Sequence, residues 1–431
     1  MEIEQLYRLF SEHQPVTTDS RDCPEGSIFF ALKGESFDGN RFAETALQKG
    51  CSHAVIDEPE YARDERYIVT DNALDTLKQL ARHHRRQFDI PVIGITGTNG
   101  KTTTKELVAA VLSKKYKVLY TEGNFNNDIG VPKTLLRLRK EHEIAVIEMG
   151  ASHPGDIKTL VETVEPDYGL ITNVGKAHLQ GFGSFEGVVR TKGELYDFLR
   201  RRNGSKVFID AANRHLAGIS GGLDLIKYAC EPMDGLYVEG EVTSCAPLLC
   251  FRWRGGEGGW HEVETHLIGT YNLCNMLAAA SIGLYFGVGD DAVSDALAGY
   301  IPSNNRSQLE TTEHNRLIVD AYNANPTSMA AAIKNFSDMQ VSRKMAILGD
   351  MRELGDSSEE EHQKVADMLE HAGIDTVWLV GEEFGKTRCA FRKFADAEEV
   401  KAELRKNMPE DHYILIKGSN GMKLYQLPEL L

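Results

Sequence analysis

The stretch VIGITGTNGKTTTKEL (92–107) constrains this chain more than any other. An apolar run, PVIGIT (91–96), stops at a Gly/Thr loop with one lysine, and KTTTKELVAAVLSKK (101–115) has helical spacing. A buried strand that feeds a glycine loop and then a helix aims free N–H groups and the positive helix end at an anion. The loop is therefore expected to grip phosphate. Gly97 and Gly100 allow tight turns and close backbone approach. Thr98 and Asn99 lie between them, Lys101 suits β- and γ-phosphates, and Thr102 or Thr103 suits Mg²⁺. Gly94 sits one residue too far back for the usual G-x-x-x-x-G-K-[ST] spacing, so the usable core is GTNGKTT (97–103).

The rest of the chain decides what the phosphate is for. At 431 residues it exceeds one ordinary core, and it divides by pattern into 1–88, 89–303 and 304–431. The first part is mixed, with short strands at GSIFFALKG (26–34) and HAVID (53–57) and a helix at 73–88. The second alternates strands (117–120, 144–149, 168–174) with helices, as a parallel sheet requires, and adds a hairpin at FRWRGGEGGWHEVE (251–264) and a core helix at 272–286. The third repeats the α/β pattern with strands at 317–322, 344–350, 376–381 and 413–419. A net charge of −16 argues against general nucleic-acid or membrane-surface binding. No apolar run approaches 18 residues and the first ten residues are acidic, so neither a membrane span nor a signal peptide is expected. Seven scattered cysteines without a C-x-x-C read as buried, reduced thiols of a cytoplasmic protein.

Glu148 ends the strand IAVIEM, and a carboxylate at the C-terminal end of such a strand stands where ligands bind. His178 lies in the loop after the next strand, in position for a metal or a supporting role. Lys192 falls on a helix whose spacing alone would leave it exposed. The absence of Asn-Lys-x-Asp disfavours a GTPase switch.

Six stretches together resemble the Mur ligases, the ATP-dependent amide-forming enzymes of peptidoglycan synthesis: GTNGKTT (97–103), NFNNDIGVPKTLL (124–136), IEMGASHPGDI (147–157), NVGKAHLQGFGS (173–184), TKGEL (191–195) and GTYNLCNMLAAA (269–280). The displaced glycine of the loop is typical of that family. The resemblance implies an α/β protein of three domains: a small mixed UDP-binding domain, a central parallel-sheet ATPase domain and a C-terminal Rossmann-like domain. DSRDCPEGSIFFALKGESFDGNRF (19–42), DAYNANPTSM (320–329) and ILGDMRELG (347–355) resemble the branch that adds D-alanyl-D-alanine to UDP-N-acetylmuramoyl-tripeptide. The sister branch, which adds the third, diamino acid residue, usually carries Asp-Asn-Pro-Arg; no such tetrapeptide occurs here.

Carried over position by position, the resemblance gives Lys101 and Thr102 to ATP phosphates and Mg²⁺, and Glu148 and His178 to the metal. It makes Lys192 a lysine carbamylated in most of the family, an anion that would help place a second Mg²⁺. Asn272 and Asn275 match an Asn-x-x-Asn near ATP, and Arg306 and Asp320 match nucleotide contacts from the C-terminal domain. Ser20 and Arg21 would meet the uridine diphosphate, and Asn126, Asn127 and Arg190 the muramoyl-peptide. A monomer is the default expectation. Tyr271, Val319 and Ser152 depart from the family's usual residues without touching those assigned to chemistry.

Overall fold

Strands and helices alternate to build three sheets in a computed structural model that describes residues 1–34, 36–256, 258–302 and 308–431. The first sheet holds β1 (Val16–Thr17), β2 (Ile28–Phe30), β3 (His53–Ile56) and β4 (Tyr67–Val69) as consecutive parallel neighbours. The second comprises β5 (Val92–Thr96), β6 (Val118–Tyr120), β7 (Ile144–Glu148), β8 (Tyr168–Ile171), β9 (Lys206–Asp210), β10 (Leu225–Ala229), β11 (Val238–Cys245), β12 (Leu248–Gly255) and β13 (His261–Ile268). Its strand order is β13-β12-β11-β10-β9-β8-β5-β7-β6. The β9–β10–β11 and β6–β7 pairings are parallel, whereas β11–β12–β13 is an antiparallel meander. The hairpin expected at 251–264 is the β12–β13 part of it.

The third sheet has β14 (Gln308–Thr311), β15 (Arg316–Asp320), β16 (Lys344–Gly349), β17 (Thr376–Val380), β18 (Arg392–Phe394) and β19 (Tyr413–Lys417) in the order β14-β15-β19-β16-β17-β18. Only β14 runs antiparallel to its neighbour. Separate apolar clusters, one around Met329, Ile333, Phe336 and Leu379 and the other around Ile347, Trp378, Val400 and Ile416, form the core of this doubly wound sheet. The strands read from the sequence all exist, one to six residues shorter than the stretches in which they were read.

The chain divides into two compact units: Met1–Gly94 with Tyr116–Gly150 and Asp156–Tyr168, and Ile95–Lys115 with Ala151–Gly155 and Gly169–Leu431. In the first, helix Ala73–Arg85 packs against helices Ile3–Glu12, Gly130–Leu135 and Asp156–Val164. Asn72 caps it by accepting from the Asp75 N–H. Arg85, buried, donates to the Val164 and Glu165 carbonyls and to Asp167. In the second, helix Asn272–Tyr285 is apolar almost all round and lies along helix Lys101–Leu112. Gly283 makes that closeness possible, because a Cβ there would stand 2.3 Å from Val111 Cγ1. The helix behind the glycine loop is thus held by core packing rather than by its own end.

Candidate phosphate-loop site

The loop forms as its residues require. Gly97 and Gly100 both have positive φ, +146° and +76°, and Gly100 directly precedes helix Lys101–Leu112 without a side-chain cap. No larger residue fits: a Cβ on Gly97 would lie 2.0 Å from Thr172 Oγ1, and one on Gly100 2.7 Å from Asn275 Oδ1. The segment after β8 moulds the loop. The Thr98 and Asn99 N–H groups donate to the Asn173 carbonyl (2.9 Å) and Oδ1 (3.0 Å). Thr172 Oγ1 and Asn173 Nδ2 donate to the Asn99 carbonyl at 2.7 and 3.0 Å. Lys101 curls back, with Nζ 2.9 Å from the Gly97 carbonyl and 3.0 Å from that of Thr98. Its ammonium is thus centred on the loop that would cradle phosphate. Thr102 is buried and Thr103 half-buried in the helix's first turn.

Asn272 and Asn275 stand behind the loop and are buried. Asn272 Nδ2 donates to the Ile268 carbonyl, Asn275 Nδ2 donates to Asn272 Oδ1, and Asn275 Oδ1 accepts from Thr104 Oγ1 at 3.1 Å. The chain of amides fixes where Gly100 can sit.

His178 and Lys192 belong to the same unit as the loop. Both His178 and Glu353 adopt left-handed backbone, at φ +50° and +63°, and their side chains pair through Nδ1 and Oε2. Non-glycine residues in that region cost about 1 kcal/mol or more each and concentrate at functional sites. Burial lowers the His178 pKa; Lys101 and Lys192 push the same way and Glu353 opposes. The imidazole is held neutral within electrostatic reach of two lysines. Lys192 is not the exposed residue that helical spacing suggests. It is 2% exposed, its Nζ lies 3.4 Å from the Ala151 carbonyl and 5.4 Å from the centre of the Phe182 ring. The helix turns this face inward because Val188, Thr191, Leu195 and Leu199 share it.

The C-terminal segment reaches the loop. Asn325 caps helix Pro326–Asp338, and its Nδ2 donates to Asn99 Oδ1 at 2.7 Å. The Lys176 N–H donates to Thr327 Oγ1, and Lys176 Nζ to Glu361 at 2.7 Å. Asp320, at the end of β15, is gripped by Lys417, itself 1% exposed at the end of β19. A cavity of about 930 Å³ opens at the C-terminal ends of β16 and β17, lined among others by Asp350, Arg352, Glu353, Glu383 and Lys423. Sequence reasoning alone misses Lys417, Asn325, Glu353 and Thr172. Asn325 lies inside the DAYNANPTSM stretch; the others are single residues without a local signature. Arg306 lies outside the described residues.

In the other unit Glu148 is fully buried at the end of β7. Its N–H donates to Thr121 Oγ1, and its Oε1 accepts from Asn126 Nδ2 at 2.8 Å. Asn126 therefore orients the carboxylate. Asn127 Oδ1 accepts from the Gly130 N–H at 2.8 Å and so starts helix Gly130–Leu135. Arg21 is exposed and forks onto Asp19, whose carboxyl this hydrogen bonding holds far below its ordinary range, and the Ser20 carbonyl accepts from Lys49 Nζ. Arg190 is exposed on helix Phe185–Leu199.

The cysteines depart from expectation. Cys230 and Cys274 are disulfide-bonded, and of the five free thiols only Cys51 is buried. Among the described residues no helix is long and apolar enough to cross a membrane.

Family models match in series along the chain: the Mur ligase family catalytic domain at 13–92, the Mur ligase middle domain at 95–283 and the Mur ligase glutamate ligase domain at 305–420. The chain belongs to the Mur ligase family. The UDP-N-acetylmuramoyl-tripeptide--D-alanyl-D-alanine ligase of Bacillus subtilis (strain 168) is 33% identical over 96% of this chain and 92% of its own length. A crystal structure of MurF from Acinetobacter baumannii superposes with a TM-score of 0.88 at 30% identity, covering 99% of this chain and 97% of that one. The MurF ligase of Thermotoga maritima in complex with ADP gives a TM-score of 0.86 at 26% identity, covering 97% of this chain and 96% of that one.

Proposed function

We propose that this chain joins D-alanyl-D-alanine to UDP-N-acetylmuramoyl-tripeptide with ATP, releasing ADP and phosphate, in the cytoplasmic synthesis of the peptidoglycan precursor. The observation that carries this is the end-to-end likeness to ligases of that name, across all three sheets rather than the phosphate loop alone. The relative captured with ADP supports nucleotide binding by this chain.

ATP serves to make a carboxylate reactive. A carboxylate repels nucleophiles and has no good leaving group. The γ-phosphoryl moves onto the tripeptide carboxylate to give an acyl phosphate. The amine of D-alanyl-D-alanine attacks, giving its proton to His178 or to an acid of the C-terminal region, a tetrahedral oxyanion forms, and phosphate leaves. Lys101 neutralises charge on the transferring group, and the N–H groups at the start of helix Lys101–Leu112 hold the phosphates in line. Three sequence regions, 1–88, 89–303 and 304–431, share this work. One holds the UDP handle, one ATP and the reacting carboxylate, and one the amine.

The donor chemistry fits Mg²⁺ in part. The Thr102 hydroxyl and the Glu148 carboxylate are hard oxygen donors, and His178 retains Nε2 because Nδ1 faces Glu353. An ammonium at Lys192 repels a cation; as a carbamate it presents two oxygens. A buried lysine amine that adds CO₂ and loses a proton supplies that anion. These groups would hold Mg²⁺, which when bound would supply charge neutralisation at the phosphates. Ser20 and Arg21 meet the uridine diphosphate, Asn126, Asn127 and Arg190 the muramoyl-peptide, and Arg306 and Asp320 the nucleotide. The protein acts as a monomer.

Mass spectrometry of the product tests the substrate assignment. UDP-N-acetylmuramoyl-tripeptide is expected to gain the mass of D-alanyl-D-alanine less water, with no product from single amino acids. A product only from the UDP-muramoyl-dipeptide and a diamino acid would assign the chain to the sister activity.

A further inference from the structure

Six of the seven cysteines come together as three pairs, none visible as a sequence motif. Cys23 faces Cys51, Cys245 neighbours Cys250 across β11 and β12, and Cys230 is bonded to Cys274. The first two pairs are poorly placed for redox chemistry. Burial pushes the Cys23 thiol up to about 11 and raises that of Cys245, so both stay protonated near neutral pH and are weak nucleophiles. The third pair is half-buried on both sides and joins two elements that matter to the phosphate loop.

We propose that Cys230 and Cys274 are a reversible disulfide site whose redox state is felt at the phosphate loop. Cys230 directly follows β10, and Cys274 lies in the first turn of helix Asn272–Tyr285. Their Cα atoms are 6.2 Å apart, inside the span a disulfide bridges. Cys274 sits between Asn272 and Asn275, the residues that back the loop. Asn275 accepts from Thr104, and its amide stands where any Cβ on Gly100 would be. The bond tethers that helical turn to the edge of β10. Without it the turn is held by packing and by the amide chain alone. The bridge also closes a 44-residue span, which restricts the unfolded chain.

The partner is a low-molecular-weight disulfide such as oxidised glutathione. One cysteine thiolate attacks a sulfur of that disulfide, forming a mixed disulfide and releasing one thiolate. The second cysteine attacks the protein sulfur of the mixed disulfide and expels the other thiol. Two electrons and two protons pass from the cysteine pair to the small disulfide, and a small dithiol reverses the exchange. A pair of this kind in a reducing compartment is transient and senses redox poise.

The test equilibrates the full chain with oxidised glutathione or with dithiothreitol, then reads peptide maps and calorimetric binding of ATP. Oxidation is expected to yield a Cys230–Cys274 cross-linked peptide that dithiothreitol abolishes. ATP is expected to bind about threefold more tightly to the oxidised form. Cys230→Ser should lose the cross-link and show one affinity under both conditions. The absence of that peptide, a cross-link confined to another cysteine pair, equal ATP affinity in the two forms, or an affinity change that persists in C230S would each overturn the proposal. Because the readout is nucleotide binding, it stands apart from the identity of the amino substrate.

Discussion

Lys192 shows best how a single residue can mislead when read alone. Its helix is amphipathic and lysines face water by default, yet this one is buried in the phosphate loop's unit, close enough to His178 to lower its pKa. Only the resemblance of TKGEL to a known family signalled it. Lys192→Ala is expected to fold normally and to lose at least about a hundredfold in kcat, with partial rescue by short carboxylic acids; full activity would remove the carbamate role. Lys101→Ala should cost about 10²–10³ in kcat in a phosphate-release assay, since the ammonium centred on the loop is gone. Gly100→Ala places a side chain at φ +76° against Asn275 Oδ1. Left-handed strain of about 1–2 kcal/mol plus displacement of Asn275 should lower Tm by a few degrees and weaken ATP binding, both readable by calorimetry. The glycine loop and its lysine were legible because backbone geometry dictates their types. Glu353 and Lys417 were not, because a lone charge at a turn or strand end has no periodicity to betray it.

Among the elements, many strands with apolar runs were legible, the edge strands β6 and β13 of the second sheet included, whereas the short edge strands of the first and third sheets were not. β1, β4, β14 and β18 are two to four residues long and carry too little pattern. Helix Ile3–Glu12 did carry one, with Ile3, Leu6, Tyr7 and Phe10 on a helical face, and its Leu6 and Phe10 are buried. The packing of helix Ala73–Arg85 yields a pH prediction. His84 Nε2 donates to the Leu138 carbonyl at 3.1 Å, and Nδ1 accepts from Tyr7 OH. Burial brings its pKa down to about 4. Above about pH 6.5 the imidazole is neutral folded or unfolded and costs nothing. Between about pH 6.5 and 4 the unfolded chain takes up a proton that the folded one refuses, so stability falls, by up to about 3 kcal/mol near pH 4, and then levels. Urea unfolding of His84→Gln should lose this slope; an unchanged slope would assign the effect elsewhere. Across the third sheet, β15 and β19 are parallel neighbours that end together on the Asp320–Lys417 pair. Lys417→Met leaves a half-buried carboxylate without its partner and should destabilise by about 2 kcal/mol in the same assay.

For the whole molecule, the order of three α/β regions was legible from alternation of strand and helix, while the residues that join them were not. Asn325, Lys176, Glu353 and Glu361 reach across chain distances of more than 150 residues, which no local pattern reports. Burial works to raise the Glu361 carboxyl, but hydrogen bonds from Lys176 and Lys364 outweigh it and lower its pKa, so the contact to the loop segment is between charges. Such a contact is fit to form and break as ATP binds and water is excluded. Fluorescent labels on the central and C-terminal regions should report an ATP-dependent distance change; a constant distance would mean that the contact is permanent. The ligase reading stands or falls most plainly on phosphate release with ATP, Mg²⁺ and UDP-N-acetylmuramoyl-tripeptide, with and without D-alanyl-D-alanine. Release that requires the dipeptide is the expected result, and release that ignores it, or needs a single amino acid instead, would contradict the assigned reaction.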